Sequence, residues 1–435
     1  MTAIIAILNK SCAAVAADSA VSVTRENHRK VYNYANKIFN LAKGAPIAIM
    51  IYNNAEFVGI PWETIIKMYR QHANHKKFDH VSGYRDDFIN YLQSFRTYFA
   101  GDEETQTMNE ITTKVLHEFD NTVRSSTADK FDDGQLLALS EVDKRNHYRE
   151  LLLEVINTSM KANEPLAYHN GFDESDKAKL RERFHELMDG HINELLSFFL
   201  LQEDEELKKL LHDVILENTV KAGYVESHSG LVFTGFGELE IFPSCYSINV
   251  GGVLNDKIRI SDGSEPIRIN SEVDASIAPF AQTDIMRTFV EGIDPNVKNS
   301  IPSAFTSALE QFNEHVLSSI DNSSVPEQDL KKVLEQSIPD IVSSLIKHLE
   351  ELRYQRHIGP MLNTISSLSK EDLAEMAESL INLTYLKRRA SFSEESVGGP
   401  IDVAVITKGD GFIWIKRKHY FNPALNLNYV STAKN

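Results

Sequence analysis

Apolar and polar positions alternate in blocks along the chain. The opening residues "TAIIAIL" are almost continuously apolar, "NKS" interrupts them, and "CAAVAADS" resumes the run. Two short strands joined by a turn are the natural reading. "NKIFNLA" and "APIAIMIY" predict a third and fourth strand, separated by the turn sequence "KGAP", with "VTRENHRKVYNYA" read as the loop before them. In "IPWETIIKMYRQH" the spacing changes to helical: Pro61 suits the first turn, Glu63 suits the positive N-terminal end, and Ile65, Ile66 and Tyr69 form one face.

From about Lys76 to Ala222 helical periodicity dominates. Phe88, Leu92, Phe95 and Phe99 share one stripe, and Met108, Ile111, Val115 and Phe119 another. The segment "NEPLAYHNGFDESD" breaks this block. Strands return in "SGLVFTGFGELEIFPSCYSINVGG" and "KIRI", punctuated by glycines, and "PFAQTDIMRTFVEGI" reads as a helix. A second helical block runs from about Pro302 to Ala390. Its last helix is signposted by Ser369 as cap, Asp372 three residues on, and an apolar face of Leu373, Met376, Ala377 and Leu380. "PIDVAVIT" and "FIWIKR" close the pattern as a hairpin around "KGDG". Strand blocks alternating with helix blocks predict an α+β protein of stacked layers, sheets inside and helices outside.

Composition narrows the function classes. The 435 residues carry 62 acidic and 45 basic side chains, a formal net charge of -17, which disfavours nucleic acid as a general partner. No apolar run has the length of a membrane span. Two widely separated cysteines, Cys12 and Cys245, make neither a disulfide framework nor a zinc site and are expected to pack in strands, in keeping with a cytoplasmic setting. The opening is not read as a secretory signal: no Lys or Arg precedes the apolar residues, and Asn9, Lys10 and Ser11 interrupt them.

The first four strands hold the candidate chemistry. With Met1 removed, Thr2 offers a hydroxyl and a free α-amine on one residue. A hydroxyl is a weak nucleophile without a base. An α-amine, with a reference pKa of about 7.7–8.0, is partly neutral near pH 7 and can be that base. A nearby lysine favours the neutral amine by repulsion, and an aspartate can hold the lysine. Asp18 lies one hairpin after Thr2, and Lys37 opens the third strand. Elsewhere, His185, Glu186, Asp189 and His191 in "FHELMDGH" miss the spacing of a zinc helix and read as a solvated face, "GFGELE" lacks the helix and lysine of a phosphate loop, and "KRKHY" and "LKRRA" read as solvated element ends.

"AADSA" after the opening strand pair, with "NKIFNL" opening the third strand, resembles the proteasome-type N-terminal-nucleophile hydrolases. The resemblance covers about residues 2–70, 229–295 and 397–418. It implies a four-layer αββα sandwich of two antiparallel sheets, with a core of 1–75, 226–300 and 391–435, a helical insertion at 76–225 and a second helical block at 301–390. It further implies Thr2 as nucleophile and base, Asp18 as its electrostatic partner and Lys37 as the residue tuning the amine. Lys37 comes three residues late for the family's spacing, and Lys30 is the rival. The family usually has glycines after the fourth strand, where a backbone N–H stabilises the oxyanion; here Asn53 is the candidate, and Tyr52 with Asn53 would narrow the pocket. Ser276 stands for the family's serine before the third helix, and Glu394, Glu395 and Ser396 stand for its acid-Ser-Gly-Gly segment.

The activity so implied is a threonine-type peptidase with no metal or organic cofactor, activated by loss of Met1 alone. The alternatives are an amidase for small amides and a catalytically silent scaffold subunit. The expected partners are a peptide or protein substrate, further copies of the chain in a homo-oligomer and a separate unfoldase, with no nucleic acid and no membrane.

Overall fold

The computed structural model describes residues 2–25, 28–32, 34–94, 102–131, 133–319, 327–390, 398–419 and 421. In chain order, β1 (Ala3–Asn9), β2 (Cys12–Ala17), β3 (Val21–Arg25), β4 (His28–Tyr32), β5 (Ile38–Asn40), β6 (Ile47–Asn53), β7 (Glu56–Phe57) and β8 (Ile60–Pro61) lead into α1 (Trp62–His72). There follow α2 (Val81–Ser94), α3 (Asp102–Lys130), α4 (Asp133–Ala138), α5 (Glu141–Asn163), α6 (Glu174–Phe198) and α7 (Glu205–Val220). Next come β9 (Ser229–Gly235), β10 (Ser244–Leu254), β11 (Lys257–Asp262), β12 (Ile267–Arg268) and β13 (Ala275–Ala281). Then α8 (Asp284–Glu291), α9 (Pro295–Ser319), α10 (Glu327–Arg353), a π-helical turn at Tyr354–Ile358, α11 (Gly359–Ser366) and α12 (Lys370–Ala390) precede β14 (Asp402–Thr407) and β15 (Gly411–Lys416).

The protein is a mixed α+β chain with antiparallel sheets. One sheet runs β13-β1-β2-β14-β15 and the other β11-β10-β9-β6-β5, with β12 beside β10. Strand alternation sends neighbouring side chains to opposite faces. Ile4, Ala6 and Leu8 of β1 share a core with Ala48 and Met50 of β6, Ile38 and Val232, so the two sheets bury faces against each other. Ala3, Ile5 and Ile7 point the other way, among Met286, Ile365, Leu373, Ala377 and Leu380 of α8, α11 and α12. Ile47, Ile49 and Ile51 of β6 meet Trp62, Ile65, Ile66 and Tyr69 of α1 and Phe88 and Leu92 of α2. The all-buried "CAAVAA" of β2 is explained by this double covering: small side chains let α12 approach one face and the second sheet the other.

The helices α3, α5, α6 and α7 form a separate core, with Met108, Ile111, Leu152, Phe184, Met188, Leu211 and Ile215 packed together and Leu254 of β10 joining from the sheet. Asp173 caps α6 through a capping box with Asp176, and Asp204 caps α7 by accepting the Leu207 N–H at 3.0 Å. Among the described residues no helix is long and apolar enough to cross a membrane.

Several expectations hold in detail. α1 buries Ile65, Ile66 and Tyr69, and Ser369 caps α12 by accepting the Asp372 N–H at 3.2 Å. Both cysteines are buried in strands. Two expectations are corrected. The presumed loop before the third strand contains the β3–β4 hairpin, whose ladder pairs Val21 with Tyr32. The presumed helix at "PFAQTDIMRTFVEGI" begins only at Asp284, because Ala275–Ala281 form β13 along the whole length of β1. Phe95 and Phe99 lie outside the described residues.

Gly235 marks where the second sheet tolerates no side chain. Its φ is +144°, and a Cβ there would stand 2.0 Å from the Pro46 carbonyl oxygen. Gly235→Ala is expected to cost at least the roughly 1–3 kcal/mol of an overpacked core, read as a lowered urea midpoint. Gly409→Ala, where a Cβ would meet nothing within 4 Å, should stay within about 0.5 kcal/mol of the parent.

Candidate active site

Asp18 sits just past the end of β2 and is fully enclosed, 1% exposed. A buried carboxylate is stable only when its acceptor positions are filled. Here four donors fill them. Oδ1 accepts the Ala3 N–H at 2.9 Å and the Lys37 ammonium at 2.7 Å. Oδ2 accepts the N–H groups of Ala20 and Gly398, both at 3.1 Å. The Asp18 N–H itself donates to the Ala3 carbonyl at 3.1 Å, closing a ring with the residue that follows Thr2.

Lys37 lies immediately before β5 and is 3% exposed. Its ammonium also donates to the Ala20 carbonyl at 2.6 Å. Burial pushes its pKa below the ordinary 10.5, and the attraction of Asp18 opposes that shift. Because Lys37 Nζ and Ala3 N bind the same oxygen, they are no further apart than those two hydrogen bonds laid end to end. The ammonium therefore lies beside the start of β1. Thr2 is buried there, and its carbonyl accepts the Gln282 N–H at 3.2 Å just beyond β13.

Asn53 ends β6. The Ile51 N–H, two residues earlier, donates to the Lys37 carbonyl at 2.9 Å, which ties this strand end to the lysine. Asn53 has φ +63°, the left-handed conformation that glycine ordinarily supplies and that asparagine tolerates. Its side-chain amide lies 3.2 Å from His228 Nε2, away from the carboxylate cluster. Tyr52 points to the opposite face: its ring stacks on Phe280 at 5.9 Å, and its hydroxyl reaches Asn249 at 3.4 Å. Tyr52 therefore lies in the space between the sheets, beside Phe280, which pairs with Ile4 near the Thr2 end of the β1–β13 ladder.

Of the other sequence-derived candidates, Ser276 is not brought to the site. It pairs with Leu8, whereas the Thr2 end of the same ladder pairs Ala3 with Ala281, five residues or about 17 Å along the strand. The error follows from the missed strand: read as part of a helical approach, Ser276 had no fixed distance from Thr2. Glu394, Glu395 and Ser396 lie outside the described residues. Gly398, close after them, is at the site through its N–H, and its carbonyl accepts the Ser19 N–H at 3.1 Å. The Ser19 hydroxyl donates to the Pro400 carbonyl.

A second ion pair was not foreseen. Asp402 opens β14 opposite Ala17, is 2% exposed, and binds the Lys418 ammonium through Oδ2 and the Lys418 N–H through Oδ1 at 2.9 Å. Both charges act on Lys37, Lys418 repelling its proton and Asp402 favouring it. The reading of "KRKHY" as solvated is corrected for Lys418: a buried carboxylate on the adjoining strand draws its ammonium inward. The signal available in sequence was only the "ID" at the start of an apolar strand.

Breaking a buried pair leaves an uncompensated charge, at a cost of about 3–5 kcal/mol. Lys37→Met is expected to lose that much stability, and the Asp18→Asn, Lys37→Met double variant to lose less than the sum of the single changes, by urea unfolding. The lysine also has a signed pH signature. Between its lowered pKa in the fold and the ordinary 10.5, the unfolded state holds more protons, so this group's contribution to stability rises with pH across that window. Lys37→Met should flatten the rise.

No protein-family model matches the chain, and no curated protein matches it. Among solved structures, the chain is similar to the "Anbu (Gly-1) mutant" from Hyphomicrobium sp. strain MC1, at 8% identity, covering 100% of this chain and 95% of that chain with a TM-score of 0.24. At that score and identity the likeness settles neither fold nor activity.

Proposed function

We infer that the chain is a threonine-type N-terminal-nucleophile hydrolase that cleaves peptide bonds. The observation that carries this reading is the buried Asp18–Lys37 pair, hydrogen-bonded to the backbone of the residue after Thr2. The four-layer αββα arrangement implied by the sequence resemblance is supported by the core shared between the two sheets and by the helices α8, α11 and α12 outside one and α1 and α2 outside the other.

In this mechanism the Thr2 hydroxyl attacks the carbonyl carbon of the scissile amide, and its proton passes to the Thr2 α-amine. The Lys37 ammonium, anchored by Asp18 and Ala20, keeps that amine neutral by repulsion and is itself enclosed. The candidate oxyanion donor is the Asn53 N–H at the end of β6, since the next N–H, of Asn54, already donates to the His228 carbonyl at 3.2 Å. The protonated amine then protonates the leaving nitrogen, the amine product departs, and water attacks the Thr2 ester to release the acid and restore the hydroxyl.

Untagged protein should have an intact mass short by the initiator Met alone. A β-lactone electrophile should then add one equivalent to the Thr2 peptide, and a peptide library should be turned over. Thr2→Ala is expected to abolish labelling and turnover while Thr2→Ser keeps both. Retained Met1, or turnover unaffected by Thr2→Ala, would transfer the assignment to the silent scaffold.

A further inference from the structure

A cavity of about 340 Å³ lies where the helical insertion meets the second sheet and shares no lining residue with the Asp18 cluster. Asn54 and Glu56, just after β6, form one wall; Glu103, Thr107 and Glu110 of α3 form another; Glu226, before β9, lies at its edge. The β10 bulge supplies the closest approach. A Cβ on Gly252 would stand 2.2 Å from Thr107 Oγ1, and one on Gly251 would stand 2.7 Å from Glu226 Oε1.

Four carboxylates line this space, and neither lysine nor arginine does. Two carry a cation from outside it: Glu110 binds Lys114 at 2.8 Å, and Glu226 Oε1 binds the buried Arg259 guanidinium. Glu56 and Glu103 remain uncompensated within the lining. The informative atom is Glu226 Oε2. Its side chain is 1% exposed, and this oxygen has no hydrogen-bond partner among the described residues. Glu103 Oε2 is likewise buried without a partner. Leaving two carboxylate oxygens dry and unbonded is costly, and a donor arriving from outside the chain relieves it.

We propose that this cavity binds an alkylammonium ion, with Glu226 Oε2 and Glu103 Oε2 accepting its N–H donors. A bare divalent cation fits less well. Among the described residues no three His, Cys, Asp or Glu side chains converge to hold a metal, and the volume is many times the ~30 Å³ of one water and within the usual range of organic-ligand pockets. An ammonium on a short alkyl chain supplies up to three donors to scattered acceptors without demanding fixed coordination. The site is independent of Thr2 and of the hydrolase reading.

Titration calorimetry of the full-length chain with 1,5-diaminopentane tests it, with 1,5-pentanediol as the uncharged isostere. Saturable one-to-one binding of the diamine, none of the diol, and at least tenfold weaker diamine binding in Glu103→Gln are expected. Glu226→Gln strands the Arg259 charge and risks unfolding, so Glu103→Gln and Glu56→Gln, whose carboxylates hold no cation among the described residues, carry the test. Absence of saturable diamine binding, equal binding of the diol, affinity unchanged in both variants, or stoichiometric displacement by calcium would each overturn the assignment.

Discussion

The Asp18 carboxylate ties together parts of the chain far apart in sequence. Its four acceptor positions are taken by Ala3, Ala20, Lys37 and Gly398. A carboxylate deep in a protein is stabilised only by donors with good geometry, and three of these donors are backbone N–H groups that would otherwise need partners of their own. The start of β1, the exit from β2, the approach to β5 and the approach to β14 therefore converge on one side chain. Asp402 repeats the device one strand over, opposite Ala17, with Lys418 as its cation. Two buried aspartate–lysine pairs thus lie near the end of β2, and Asp18, Asp402 and Lys418 all act on Lys37.

This arrangement requires thin layers. The charges lie beside strands that are buried on both faces, and the strands come close enough only because β2 is built of alanine, cysteine and valine. A leucine in place of Ala14 or Ala16 would push α12 away, and one at Ala13 or Ala17 would push away the second sheet. The small-residue strand and the enclosed ion pairs are consequently one design: the first removes water from the second, and without water the attraction between Asp18 and Lys37 is strong enough to order the segments they join.

What was legible in sequence follows the same division. Elements with a clean local period could be read directly: β1, β2, β6, α1 and α12 have uninterrupted apolar faces and plain punctuation. Asp18 could be placed beside Thr2 because one hairpin returns the chain to its start, whereas the role of Lys37 rested on the family resemblance. The β3–β4 hairpin escaped because "TRENHRKVY" has little apolar contrast. β13 escaped because "ASIAPFA" contains a proline and runs straight into a helical pattern; it is an edge strand of its sheet, where proline is tolerated. Ser276 was misplaced as a direct consequence, since its distance from Thr2 depends on a register that only the ladder defines. Lys418 and Asp402 are sixteen residues apart across a hairpin, and nothing local distinguishes that lysine from its solvated neighbours.

The two buried acidic sites differ in one respect that bears on function. At Asp18 the chain supplies every donor, so the carboxylate is complete and serves as a fixed electrostatic anchor. At Glu226 the chain supplies Arg259 to one oxygen and leaves the other bare. Arg259 is itself committed elsewhere, donating through Nε and Nη2 to the carbonyls of Thr219, Asn218 and Gly223, and meets Glu226 through Nη1 at Oε1. At Gly251 and Gly252 the strand lies so close to the Glu226, Tyr224 and Thr107 side chains that a Cβ would clash with them. An acceptor left open beside a space large enough for an organic cation is where the proposed ammonium would complete the fold.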